Sequence, residues 1–272
     1  MPVSKTPTIL TIAGSDTYGG AGLQIDIKTM HSLGGYALSV PTALTAQNST
    51  GVKDVFAVPA EVFEKQLHVL LEDIHVDAVK IGMLANRDII EVLVKIIDKY
   101  ELKNIVLDTV LVSSSGKDLL EPTAKEMMVK ELFPRVDLIT PNIPEVHAFL
   151  GNSSYSGKDE EVQSVAAQLF DLGVNAVLLK GGHGEETDSV TDYLVEKPDK
   201  VTTHSTKKVH TTHTHGTGCI LSSAIATQLA LGHTLVQSVS LAKQFIYNSL
   251  CAASQLNLTY TTENTTRKEP IY

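Results

Sequence analysis

The sequence predicts an α/β fold of three αβα layers, with a mostly parallel central sheet flanked by helices and a small β-hairpin late in the chain. Short apolar runs of strand length alternate with longer segments of helical period, the pattern of successive βαβ units. Polar or glycine-rich residues follow those apolar runs, where open α/β sheets gather ligands. With 272 residues, 43% of them apolar and 19% charged, the chain is long and apolar enough for one sizeable core.

The first expected strand, 8–13, is β-branched and apolar and ends in a glycine-rich turn, after which 22–33 reads as a helix. A second strand is expected at 37–43. The helix expected at 61–72 places Glu64, Leu67, His68 and Leu71 three and four residues apart, giving one face to bury and one to solvate. Strands at 78–81 and 105–107 bracket a helix at 88–100, whose Ile89, Val92, Leu93 and Ile96 follow the same spacing. A helix at 123–132 and strands at 138–139 and 176–179 continue the pattern, and 151–159 reads as a loop.

After residue 180 the texture changes. Segments 189–195 and 200–208 are rich in Thr and Val and flank the turn signal Lys197-Pro198-Asp199, so they form the hairpin. Helices at 218–231 and 235–256 complete the core, with Gly232 where a helix C-terminus favours glycine. Residues 1–256 are expected to be a single domain, and 257–272 a polar, loosely held tail.

The formal net charge is −9, from 22 basic and 31 acidic residues, with no long basic run. Nucleic acid and anionic membranes are therefore not expected partners. The two cysteines, Cys219 and Cys251, do not make a disulfide scaffold, and no apolar run is long enough for a membrane span, so a cytoplasmic protein is expected.

Four places can carry chemistry. Ala13-Gly14-Ser15-Asp16-Thr17-Tyr18-Gly19-Gly20-Ala21-Gly22 joins strand to helix and matches neither a P-loop nor a dinucleotide fingerprint. It either lets backbone N–H groups approach a ligand or is a turn without one. Thr214-His215-Gly216-Thr217-Gly218-Cys219 precedes an apolar helix, so its N–H groups and the positive helix end form an anion site suited to a phosphate in transfer. There the dipole is expected to lower the Cys219 thiol pKa and ease proton abstraction; the alternative is a small buried helix residue.

Asp108 and Thr140-Pro141-Asn142-Ile143-Pro144-Glu145 fall at strand ends. Asp108 and Glu145 could hold Mg²⁺ directly or through water, while Asn142 and Glu145 also fit a capping box at a helix start. Lys180, ahead of Gly181 and Gly182, could meet phosphates or simply be solvated. Histidines 204, 210, 213 and 215 have no nearby cysteine pair, so structural zinc is not expected.

Seven segments in order resemble one family. They are Leu10-Thr11-Ile12-Ala13-Gly14-Ser15-Asp16 with Gly19-Gly20-Ala21-Gly22, Ala43-Leu44-Thr45-Ala46-Gln47-Asn48, Lys80-Ile81-Gly82-Met83-Leu84, Val106-Leu107-Asp108, Thr140-Pro141-Asn142, Lys180-Gly181-Gly182-His183, and the turn ending in Cys219. Together they resemble the hydroxymethylpyrimidine/phosphomethylpyrimidine kinases of thiamine biosynthesis, in the ribokinase-like superfamily.

The resemblance implies ATP- and Mg²⁺-dependent phosphorylation of 4-amino-5-hydroxymethyl-2-methylpyrimidine to the monophosphate and then the diphosphate, and the family often dimerises. It implies a pyrimidine pocket of Gly14, Ala21, Thr45, Gln47, Met83 and Val110. Cys219 would be the base, Gly216, Thr217 and Gly218 the oxyanion donors, and Lys180 the contact to nucleotide phosphates. Asp108, Asn142 and Glu145 would organise Mg²⁺.

The chain departs from the family's pattern in several places. Ser113-Ser114-Ser115-Gly116 replaces a lysine-containing loop, Thr109 follows Asp108 where Pro is common, Ile220 stands where Thr is usual, and the tail lacks the usual ending. The nearest rival is a pyridoxal kinase of the same superfamily. From other classes come a hydrolase pairing Cys219 with His215 and a non-catalytic pyrimidine- or nucleotide-binding protein.

Overall fold

The computed structural model describes residues 5–113, 116, 119–151, 155–181, 188–253, 258–259, 261 and 269–271. In chain order the elements are β1 (Thr8–Asp16), α1 (Gly22–Ser32), β2 (Tyr36–Asn48), β3 (Gly51–Ala57), α2 (Ala60–Leu71), β4 (Ala78–Ile81), α3 (Arg87–Tyr100), β5 (Ile105–Leu107), α4 (Pro122–Met127), β6 (Leu138–Ile139), α5 (Ile143–Leu150), α6 (Val162–Asp171), β7 (Ala176–Leu179), β8 (Ser189–Glu196), β9 (Lys200–Lys207), α7 (Thr217–Ala230) and α8 (Leu235–Ala252).

Among the described residues nine strands form one sheet in the order β3-β2-β1-β4-β5-β6-β7-β8-β9. From β2 to β7 the neighbours run parallel, while β3 at one edge and the β8–β9 pair at the other are antiparallel. The chain winds from β1 outward to β2 and then back past β1 to β4. That reversal opens a crevice at the carboxyl ends of β1 and β4, where doubly wound sheets bind ligands.

Side chains alternate across the sheet. Leu10 and Ile12 pack on one face with Phe63, Leu67, Ile89, Leu93 and Val165, beneath α2, α3 and α6. Ile9 faces the other side with Met30, Leu221, Ile225 and Val239, beneath α1, α7 and α8. Each fully buried Leu, Ile or Phe is worth about 1.5–3 kcal/mol over an exposed one, so the two clusters fix both helical layers against the strands. Asn86 caps α3 by accepting a hydrogen bond from Ile89 N at 3.1 Å, and Thr234 and Gln237 form a capping box on α8.

Three differences from expectation have local causes. β1 and β2 run on to Asp16 and Asn48, and β3 is not among the strands the sequence predicts; β3 has no fully buried residue, and Leu44 and Phe56 pair across β2 and β3 yet stay 53% and 61% exposed, so apolar side chains there do not mark a buried face. The helix expected over 123–132 ends at Met127 and passes into a wider π-turn through Leu132. α6 is likewise unpredicted, although its buried Val162, Val165, Ala166 and Leu169 keep helical spacing.

The tail differs as well: Pro270 and Ile271 are buried rather than loose. Ser114, Ser115, Gly182 and His183 lie outside the described residues. Among the described residues no helix is long and apolar enough to cross a membrane.

Candidate active site

The carboxyl edge of the sheet delivers the site. Asp108 follows β5, Asn142 follows β6 and Lys180 follows β7; Lys180 N donates to Pro141 O at 3.0 Å, which locks the last two loops together. Asn142 and Glu145 form the capping box of α5, with Glu145 N donating to Asn142 Oδ1 at 2.9 Å and Asn142 N to Glu145 Oε2 at 2.8 Å. The capping box is thus the use of Asn142 and Glu145 that the structure shows, and it leaves Glu145 within reach of the neighbouring loops.

Lys180 is half-buried between two carboxylates, its Nζ 3.2 Å from Asp108 Oδ1 and 3.8 Å from Glu145. A solvated lysine is thereby overturned. Asp108 also accepts from Thr140 Oγ1 at 3.3 Å and Ser222 Oγ at 3.4 Å. Burial opposes its ionisation, but the Lys180 and Lys80 ammoniums outweigh burial and hold the carboxyl below the usual range. Glu145 goes the other way: burial, aided by the nearby Asp108 charge, raises it despite Lys180. Thr109, where the family usually has Pro, donates to Glu145 Oε2 at 2.9 Å.

The N-terminus of α7 closes the opposite wall. Gly216 has φ +83°, and a Cβ there would lie 1.7 Å from Gly20 O, so the two glycine-rich turns touch through their backbones. Among the described residues no side chain caps this helix end. A Cβ on Gly218 would lie 3.3 Å from Asp108 Oδ2 and 3.7 Å from Lys180 Nζ, which puts the Gly216–Gly218 turn directly over the acid–lysine cluster.

Cys219 faces the same cleft, with a correction to its chemistry. Burial pushes its thiol up to about 11, reinforced by the Asp26 and Asp108 carboxylates and only partly offset by Lys80 and the Gly22 N–H. The expected lowering by the helix dipole does not prevail, because the dipole acts on a sulfur already removed from water.

On the other side of the cleft, a Cβ on Gly14 would lie 3.0 Å from Met83 Sδ, and Thr45 Oγ1 donates to Ser15 O at 2.8 Å. Asp16 is buried and accepts from Tyr18 N, Gly20 N and Ala21 N at 2.8–3.1 Å. His215 Nε2 lies 3.0 Å from Asp16 Oδ2 and 3.3 Å from Gln47 Nε2. The His215 ring therefore turns to Asp16 and Gln47, which disfavours a Cys219–His215 nucleophilic pair.

Gly14, Ala21, Thr45, Gln47, Met83, Val110, Asp108, Asn142, Glu145, Lys180, Gly216, Thr217, Gly218 and Cys219 all line one cleft of about 1640 Å³. The sequence reading missed Lys80 as a cleft residue and the Asp16–His215 pair. A lysine within a four-residue strand whose every position is buried was the available signal for the first.

A family model described as phosphomethylpyrimidine kinase matches residues 16–264. The chain belongs to the phosphomethylpyrimidine kinase family. It is a phosphotransferase, a kinase of thiamine biosynthesis. The hydroxymethylpyrimidine/phosphomethylpyrimidine kinase of Salmonella typhimurium is 40% identical over 249 residues, covering 92% of each chain.

Among solved structures, phosphomethylpyrimidine kinase from Clostridium difficile 630 has a TM-score of 0.79 at 39% identity, covering 90% of this chain and all of that one. Pyridoxal kinase from Staphylococcus aureus, in complex with AMP-PCP and pyridoxal, has a TM-score of 0.81 at 31% identity, covering 91% of this chain and 88% of its own. Some relatives are longer: the chain spans 44% of a probable thiamine biosynthetic bifunctional enzyme from Oryza sativa, at 40% identity. These likenesses agree with the ribokinase-like αβα fold expected from sequence.

Proposed function

We propose that this kinase transfers the γ-phosphoryl group of ATP to the hydroxymethyl oxygen of 4-amino-5-hydroxymethyl-2-methylpyrimidine, and then phosphorylates the monophosphate to the diphosphate. The observation that carries the reading is the meeting of the Gly216–Gly218 turn with Asp108 and Lys180, opposite a pocket holding Gln47 and Met83 in the same cleft. Phosphoryl transfer needs little covalent help from the protein and much positioning and charge stabilisation.

In this mechanism Gln47 presents donor and acceptor to the aminopyrimidine edge, while Met83 and Val110 give apolar contact and Gly14, Ala21 and Thr45 shape the floor. Cys219 takes the proton of the substrate hydroxyl as the thiolate, after its own proton, held by burial, has been released to water. The backbone N–H groups of Gly216, Thr217 and Gly218 meet the charge that develops on the transferring phosphoryl. Lys180 contacts the nucleotide phosphates.

Two carboxylates, Asp108 and Glu145, suit Mg²⁺, which in phosphoryl-transfer sites takes one or two acidic side chains together with phosphate oxygens and water. Their close approach to one shared ammonium supports the fit, since cationic charge is already what holds them together. Asn142 sets the position of Glu145. When bound, the ion would neutralise charge on the phosphates.

The likeness to pyridoxal kinases favours pyridoxal as the second candidate substrate. Release of ADP measured with hydroxymethylpyrimidine, its monophosphate and pyridoxal tests both readings. Turnover of the first two is expected, and a clear preference for pyridoxal would overturn the substrate assignment.

A further inference from the structure

We propose that residues 269–271, at the C-terminal end of the chain, act as a clamp that positions His215, and through it Gln47 and Asp16, for the flat heterocycle. The inference rests on the pyrimidine reading above. It is carried by contacts that none of the assigned roles uses.

The segment is anchored to the catalytic turn through both backbone and side chains. His215 N donates to Glu269 O at 3.2 Å, and His215 and Pro270 pair as a short parallel bridge. His213 Nδ1 lies 3.1 Å from Pro270 O, and since a carbonyl only accepts, the ring donates there. The other ring nitrogen of His213 lies 3.0 Å from Glu269 Oε2.

Packing supplies the rest of the grip. Ile271 is buried in a cluster with Ile25, Ile220 and Ala253, against which Cys219 also packs. A Cβ on Gly20 would lie 2.3 Å from His215 Cδ2 and 2.8 Å from Pro270 Cβ, so Pro270 and His215 together fill the space above the first glycine-rich turn. Ordering this segment costs conformational entropy, and burial of Pro270 and Ile271 with paired backbone groups offsets that cost beside the first glycine-rich turn and the start of α7.

The functional consequence follows from what His215 touches. Its ring reaches Asp16 and Gln47, whereas Asp108, Glu145 and Lys180 are held by one another and by Thr109 and Thr140. Release of the clamp frees the His215 end of the network and leaves the acid–lysine cluster intact. Glu269, Pro270 and His213 are therefore positioning residues for one substrate and not the other.

The test is steady-state kinetics of a chain ending at residue 268, with His213→Ala as a second variant that keeps the tail's backbone. For the truncated chain the KM for hydroxymethylpyrimidine is expected to rise about tenfold or more, with the KM for ATP within about twofold of the parent. His213→Ala is expected to shift the same KM in the same direction by about threefold, and Glu269→Gln, which keeps an acceptor for the ring, by less. An unchanged pyrimidine KM, or an equal rise in both KM values, overturns the clamp. If the truncated chain does not fold, the split in His213→Ala decides alone. Failure of the unmodified chain to use the pyrimidine would instead strike the substrate reading, and the same split measured with pyridoxal would still judge the clamp.

Discussion

Lys80 Nζ lies 2.9 and 2.8 Å from the two carboxylate oxygens of Asp26, and both side chains are fully buried. Asp26 is further held by Thr11 Oγ1 at 2.6 Å and Ser223 Oγ at 2.7 Å, so one ion pair ties β1, β4, α1 and α7 together beneath Cys219. Burial disfavours the ammonium, but the Asp26 carboxylate, with Cys219 and Asp108, more than compensates and raises the Lys80 pKa. Removing one partner leaves the other charge stranded away from water. Lys80→Met is therefore expected to cost about 3–5 kcal/mol in urea unfolding, and adding Asp26→Leu should recover part of that loss. A single variant as stable as the parent would contradict this account of the pair.

Cys219 gives a second prediction. Because the thiol sits in the cleft and, among the described residues, no hydrogen bond depends on its donating, Cys219→Ala should fold and bind ATP within about twofold of the parent. Loss of a general base is expected to lower kcat by about 10²–10⁴. Turnover equal to the parent would remove Cys219 from the mechanism.

The two glycines flanking Thr217 should behave differently. A methyl group on Gly218 meets Asp108 and Lys180 at 3.3–3.7 Å, which the fold tolerates but which fills the space that our proposal gives to a phosphoryl group. Gly218→Ala is expected to keep its melting temperature and lose about 10²-fold in kcat/KM for ATP. At Gly216 the backbone is left-handed and Gly20 O stands 1.7 Å from a Cβ, so Gly216→Ala should lower the melting temperature as well as the rate. Equal melting temperatures for the two variants would refute the distinction.

Asp16 predicts a pH dependence. Burial works against its charge, but His215 and the Tyr18 and Ala21 N–H groups outweigh burial and depress the pKa below the usual value. A depressed acid contributes stability that is complete above the unfolded value, about pH 4, and is lost as pH falls through the folded value. The urea midpoint of the parent should therefore drop more steeply below about pH 4 than that of Asp16→Asn. Parallel profiles would show that the carboxylate adds nothing to folding.

Much of this was legible in the residues. β4, β5, β6 and β7 coincide with the expected ranges because each is a short run buried on both faces, apolar throughout except for Lys80 in β4, and strand-end logic alone led to Asp108, Asn142 and Lys180. The β2–β3 extension was not legible, since Leu44 and Phe56 bury nothing that would impose alternation. Nor was the pairing of Asp16 with His215, 199 residues apart, because spacing along a chain carries no trace of so distant a contact. The Cys219 thiol was misjudged for a related reason: a helix end is visible in sequence, but the burial that overrides it, reinforced by the Asp26 and Asp108 carboxylates, is made by elements distant in the chain.

The contact between Gly216 and Gly20 O also sets an order of assembly. Within this chain the turn after β1 is made long before α7, so a nascent chain that has emerged only through β9 lacks the backbone amides of the Gly216 turn. Ligands that bridge both walls can stabilise the protein only after α7 has left the ribosome, which makes ligand rescue of folding a late, post-synthetic event.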